Sequence, residues 1–200
     1  MFLRLTLTLR YYAACCCSAI CALHERGIIH RFANLQSFCI TAEGTIKLID
    51  LRYARRMEGN KVFTVCGDAL YFAPEMVAQT GYDFGIDLWS LGVTLYEIYE
   101  ERIPFGDAST AETEVFKSIT SFNAASDLGY KKAPTEMQAV ISKLLNNSPK
   151  QRLGYNNADD LCTHMGFGGS RANPAVGHPL RVDVEVDSES LEALRFDFAS

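Results

Sequence analysis

The sequence has no surplus of positive charge: 19 Lys and Arg stand against 24 Asp and Glu, for a formal net charge of −5. Without a global basic field, nucleic acid and acidic membrane surfaces are excluded as expected partners. A membrane-spanning run is lacking too. The uncharged stretch Tyr11–Leu23 holds 13 residues, too few to cross a hydrocarbon core of about 30 Å. No small-residue cleavage site precedes His24–Glu25–Arg26, so a secretory signal is not expected either. Paired cysteines are also missing. The seven are Cys15, Cys16, Cys17, Cys21, Cys39, Cys66 and Cys162. The count is odd and four crowd one segment, which reads as reduced thiols of a cytoplasmic protein rather than a disulfide framework. Internal repeats are absent.

What remains suits one domain. Two hundred residues, 48% of them apolar, can bury a core and argue against disorder. Residues 1–9 alternate apolar and polar side chains, a strand-like pattern that sets them apart as a leader. Residues 10–24 read as an internal helix stopped by Gly27. Ile28–Ile29, Phe38–Ile40 and Ile46–Ile49 read as short strands, the last two joined by a turn at Glu43–Gly44. The stretch 53–75 reads as irregular. Asp87–Glu101 is apolar on most faces and predicts a central helix. Two capping boxes, Ser109-x-x-Glu112 and Thr135-x-x-Gln138, are expected to open two further helices. A short helix is expected near Ala158–Met165. Gly168–Pro179 reads as a linker, followed by an acidic alternating segment, Val182–Asp197. The expected class is mainly α with a small β-hairpin sheet, one domain over 10–167 and a tail over 168–200.

Several motifs fall in a fixed order. His30–Arg31 follows the buried helix and a strand, and Asp50 closes another strand. Ala73–Pro74–Glu75, Asp87-x-Trp89-x-x-Gly92 and Arg152–Leu153–Gly154 come after them. This order resembles the C-terminal lobe of a eukaryotic protein kinase. Arg10–Tyr11–Tyr12–Ala13–Ala14, Thr64–Val65–Cys66–Gly67 and Gly81–Tyr82–Asp83 narrow the resemblance to the AGC group, nearest its cyclic-nucleotide-dependent Ser/Thr kinases. Each motif alone is weak; their joint order is specific.

The resemblance implies phosphoryl transfer with ATP and magnesium, but the residues for that chemistry depart from the family pattern. No G-x-G-x-x-G or V-A-I-K pattern occurs, so an upper lobe is not expected within this chain. Phe32 stands at the position of the catalytic aspartate, and a phenyl ring cannot accept a proton. Asn34 replaces the lysine that would neutralise the moving phosphate. Ser37 replaces the asparagine that would bind the second magnesium. Asp50 retains the carboxylate of the metal motif, but Arg52 replaces its glycine. By the same resemblance, Thr64 matches an activating phosphosite clamped by Arg31 and Arg55. Glu97 matches a residue that recognises basic peptides. His30, Glu75, Asp87 and Arg152 match framework residues, with Glu75–Arg152 as a buried ion pair.

Each position also has a plainer reading. Asp50 fits a hydrogen-bonded strand end, Thr64 an unmodified loop threonine, and Glu97 a solvated helix face shared with Glu100 and Glu101. Cys17, Cys21 and His24 share one helix face at zinc-compatible spacing, although packed thiols are the commoner outcome. The expectation is an inactive kinase-like chain that needs no cofactor of its own and binds a protein or peptide. The alternatives are part of an active AGC-type kinase whose N-lobe lies elsewhere, or a decayed gene product.

Overall fold

A computed structural model describes residues 2–42, 44 and 46–164, with side chains from Thr8 onward. Helix α1 spans Phe2–Glu25. It therefore begins well before the expected helix, and the strand-like reading of residues 1–9 is corrected. Nothing between Phe2 and Arg10 breaks a helix, and leucine and arginine are good helix formers, so the alternation is overridden. Tyr11 through Leu23 are buried on nearly every face. Gly27, at φ 71°, ends the helix by donating its N–H to the His24 carbonyl at 2.9 Å.

The strands are short. Strands β2 (Phe38–Ile40) and β3 (Ile46–Leu48) form the expected antiparallel hairpin, with Cys39 opposite Lys47. Strand β1 (Ile28–Ile29) pairs antiparallel with β4 (Arg55–Arg56). The second pairing had no signal in the sequence, because two arginines carry no apolar alternation. It lies inside the stretch read as irregular, which also holds a single bridge between Val62 and Tyr82.

After the four-residue helix α2 (Pro74–Val77), helix α3 (Gly85–Glu100) runs through the centre. Leu88, Trp89, Leu91, Val93, Leu95 and Tyr96 are all at most 1% exposed. Trp89 stacks on Phe105 at 5.5 Å between ring centroids and meets Phe122 edge-on. Gly92 lets α6 (Thr135–Leu144) approach closely: a Cβ there would sit 2.9 Å from Leu145 Cδ2 and 3.0 Å from Leu144 Cβ. Helix α4 (Glu112–Ser121), α5 (Ala124–Asp127) and α7 (Ala158–Cys162) complete the described elements.

Both capping-box readings are corrected. Ala111 precedes α4 without a side-chain cap, and Ser109 instead bonds to Asp107, its Oγ donating at 2.6 Å. Thr135 is the first residue of α6 rather than its cap, and Gln138 donates to the Ala133 carbonyl at 2.7 Å. In each case a nearby partner captured the side chain. The linker and acidic segment expected after Phe167 lie outside the described residues. No described helix is long and apolar enough to cross a membrane.

Candidate functional site

The site is built around one buried carboxylate. Asp87, fully buried in the first turn of α3, accepts the backbone N–H of His30 on Oδ2 and of Arg31 on Oδ1, both at 2.7 Å. His24 Nε2 lies 2.8 Å from Oδ2. Burial pushes the Asp87 carboxyl up, but the hydrogen bond and charge of His24, reinforced by His30, outweigh it and hold it below the usual range. These contacts fix Arg31 at φ 67°, a left-handed conformation costly for a residue with a Cβ.

Two more side chains on the same side of α3 continue the work. Thr94, two turns after Asp87, donates to the Ala33 carbonyl at 2.8 Å or to Ser90 at 2.9 Å. Ser90 donates to the Tyr71 carbonyl at 3.0 Å. The stripe Asp87–Ser90–Thr94 thus anchors residues 30–33 and 71 to the core helix. Sequence reasoning singled out Asp87 but missed Ser90 and Thr94, and weighed His24 only for zinc rather than as a partner of Asp87. Polar residues spaced i, i+3, i+7 on an otherwise apolar helix were the available signal.

His30 is wholly buried, and its Nδ1 accepts the Phe32 N–H at 3.2 Å. Burial lowers its tendency to protonate. The Phe32 ring meets Tyr53 edge-on at 5.1 Å between centroids. Gly67, at φ 103°, presses on the same loop: a Cβ there would stand 3.0 Å from Arg31 O and 3.2 Å from Phe32 Cδ2. An aromatic contact therefore fills the position that the kinase resemblance assigns to a carboxylate.

Asn34 and Ser37 close the loop on itself. Asn34 Oδ1 caps the turn Leu35–Ser37 by accepting the Ser37 N–H at 3.1 Å. The buried Ser37 hydroxyl lies 2.6 Å from the Phe32 carbonyl and 3.1 Å from Asn34 Oδ1. Asp50 Oδ1 is held by Arg52, through its N–H at 3.2 Å and Nε at 3.0 Å. Burial raises the Asp50 carboxyl, but the bonds and charge of Arg52 outweigh it and keep it low. Among the described residues, no three His, Cys, Asp or Glu side chains gather where they could hold a metal ion. His24 turns to Asp87 rather than to Cys17 and Cys21.

The remaining expected residues fall in separate places. Arg31 reaches Thr64, its Nη1 donating to Oγ1 at 2.9 Å while its Nε donates to the Tyr53 carbonyl at 2.6 Å. Tyr82 also donates its hydroxyl to the Thr64 carbonyl. Arg55 sits in β4 opposite Ile29. Glu97 accepts the Tyr71 hydroxyl at 2.5 Å. Glu100 is not part of a solvated face: it is 6% exposed and accepts the N–H groups of Lys131, Lys132 and Ala133 at 2.9–3.1 Å. The helix ends one residue later, where Glu101 turns to φ 57°.

Arg152 and Glu75 form a bidentate pair, Nη1–Oε1 at 2.6 Å and Nη2–Oε2 at 2.8 Å. Arg152 also donates to the carbonyls of Gly85 and Asn146, at 2.8 and 2.9 Å, and lies over Trp89 at 5.1 Å. Its side chain is fully buried, so every donor contact counts.

A family model for the protein kinase domain matches residues 6–165. The chain belongs to the protein kinase domain family. It is similar to cGMP-dependent protein kinase 2 of Homo sapiens, 31% identical over 167 residues, covering 81% of this chain and 21% of that protein. It is 31% identical over 160 residues to a cAMP-dependent protein kinase, catalytic subunit-like, of Caenorhabditis briggsae, covering 79% of this chain and 40% of the relative. A cGMP-dependent protein kinase of Toxoplasma gondii is 30% identical over 196 residues, covering 94% and 19%. This kinase-family chain thus spans between about a fifth and two fifths of these relatives' length. Its fold, about half helical with small antiparallel sheets, suits a portion of that domain.

Proposed function

We propose that this chain is a catalytically silent member of the protein kinase family that acts by binding a protein or peptide. The observation that carries the reading is Phe32. Its ring packs against Tyr53 and under Gly67, and it offers no atom that takes a proton. A positioned general base contributes about 10²–10⁴ in rate, so the substitution alone removes most of the chemistry.

The neighbouring residues support the same reading. Family members use ATP with magnesium, and the fit of this chain to that pair is poor. The Ser37 hydroxyl is turned to the Phe32 carbonyl, and Asp50 is neutralised by Arg52. A hard cation seeks several oxygen ligands at once, and one engaged carboxylate does not supply them. No step of a phosphoryl transfer is therefore assigned to these residues, and a cytoplasmic protein of this kind works without its own cofactor.

Partner binding draws support from exposed apolar side chains. Ile40 and Ile49, at the β2–β3 hairpin, are 57% and 59% exposed, and Phe63 and Val65 flank Thr64 at 67% and 51%. These side chains are the candidate contact surfaces for such a partner. Thr64 would serve as the switch. A phosphate on its hydroxyl would meet the Arg31 guanidinium already bonded there, gaining charge-assisted bonds and ordering the segment.

The test supplies what the reading says is not enough. The chain is fused behind the glycine-rich N-terminal lobe of a cGMP-dependent protein kinase and assayed for transfer of labelled phosphate to a basic peptide. No transfer above background is expected from the fusion. Transfer that depends on added magnesium and ATP would instead favour an active kinase portion.

A further inference from the structure

The catalytic-loop region uses none of the cysteines on α1 and α7. Cys21 and Cys162 come from opposite ends of the described chain and are 3% and 5% exposed. Their thiols hydrogen-bond to one another. Cys21 Sγ also lies 3.9 Å from the Ala158 carbonyl, one turn before Cys162 on the same helix. Helices α1 and α7 pack directly together. The pair is thus a contact between the first and last described helices.

In the closed structure these thiols are dormant. The bond to Cys162, and then burial, push the Cys21 thiol well up from its ordinary value, and the protonated form is a poor nucleophile. Access depends on α7. It is five residues long, with Asp159 and Asp160 exposed on its outer face. Short surface elements open locally at a fraction of the cost of global unfolding.

We propose that Cys21 and Cys162 form a redox-controlled pair, closed into a disulfide by a low-molecular-weight disulfide when α7 opens. The opened Cys162 loses its proton to solvent, and its thiolate attacks one sulfur of the small disulfide. The small S–S bond breaks, releasing one small thiol and leaving a mixed disulfide on Cys162. Before α7 reseats, the Cys21 thiol gives its proton to solvent, and its thiolate attacks the Cys162 sulfur and displaces the second small thiol, which takes up a proton as it leaves. Two protein thiols and one small disulfide become one protein disulfide and two small thiols. The bond ties α7 to α1, and a cross-link between residues so distant in sequence constrains the unfolded chain strongly.

The test is native oxidation with oxidised glutathione, followed by alkylation, proteolysis and mass spectrometry. The expected product is a peptide joining Cys21 to Cys162, with a raised Tm that returns to its starting value on reduction. Cys162→Ser and Cys162→Ala, made together because the apolar replacement keeps the core dry, should both lose the cross-link and the Tm rise. The unvaried chain gives the mapping even if either variant folds poorly. Complete alkylation of Cys21 and Cys162 after oxidation would overturn the proposal. So would a cross-link from Cys162 to Cys17, one turn earlier on α1.

Discussion

Asp87 holds Arg31 in a left-handed backbone conformation by accepting its N–H at 2.7 Å. The same carboxylate takes His30 and His24. Removing it would strand the buried His30 N–H and two partly buried donors, and release a strained residue. Each orphaned buried donor costs about 1–3 kcal/mol. Asp87→Ala is therefore expected to lower unfolding stability by about 1–3 kcal/mol from the His30 N–H alone, read by urea denaturation, and to increase hydrogen exchange across residues 30–34.

Acid should weaken the fold in two stages. The Asp87 carboxyl is held low in the folded chain, so the unfolded chain takes up its proton first. Its contribution is fully present above the ordinary carboxylate value of about 4 and is lost as pH falls below it. His30 is likewise held low, by burial. Its contribution is present above the ordinary histidine value of about 6.5 and shrinks as pH drops through it. Tm measured from pH 8 downward should begin to fall near pH 6.5 and steepen below about pH 4. In Asp87→Asn the lower step should flatten.

Arg152 and Glu75 should behave as a pair. Leaving one buried charge without its partner costs about 3–5 kcal/mol, a large share of the roughly 5–15 kcal/mol that stabilises an ordinary domain. Arg152→Met alone should destabilise the chain by about that amount. The double variant Glu75→Leu with Arg152→Met should recover part of the loss. Denaturation midpoints of the three proteins give the comparison.

The fold was legible where a pattern had one physical outcome. The apolar run of α3, the Phe38–Ile40 and Ile46–Leu48 hairpin and the Gly27 stop all followed from periodicity and turn chemistry. The Glu75–Arg152 pair and the Arg31–Thr64 bond fall at positions that the family motifs single out. Elsewhere long-range contacts decided. Ser109 and Thr135 matched capping boxes by spacing, but Asp107 captured the first and helix geometry the second. Arg55–Arg56 became a strand only because β1 lay beside it. Glu100 looked like a surface charge, yet its carboxylate satisfies three backbone N–H groups 31–33 residues away. Over residues 30–37 and 50–52, the motifs marked departures from the family pattern. They did not reveal that Asn34, Ser37 and Arg52 would bond to their own neighbours.

On the proposed function, this kinase-family chain folds stably without engaging Mg-ATP. Thermal unfolding of the purified chain, with and without millimolar Mg-ATP, decides this. One cooperative transition with the same Tm in both conditions is expected. A nucleotide-dependent rise of several degrees, abolished by Asp50→Ala, would contradict it.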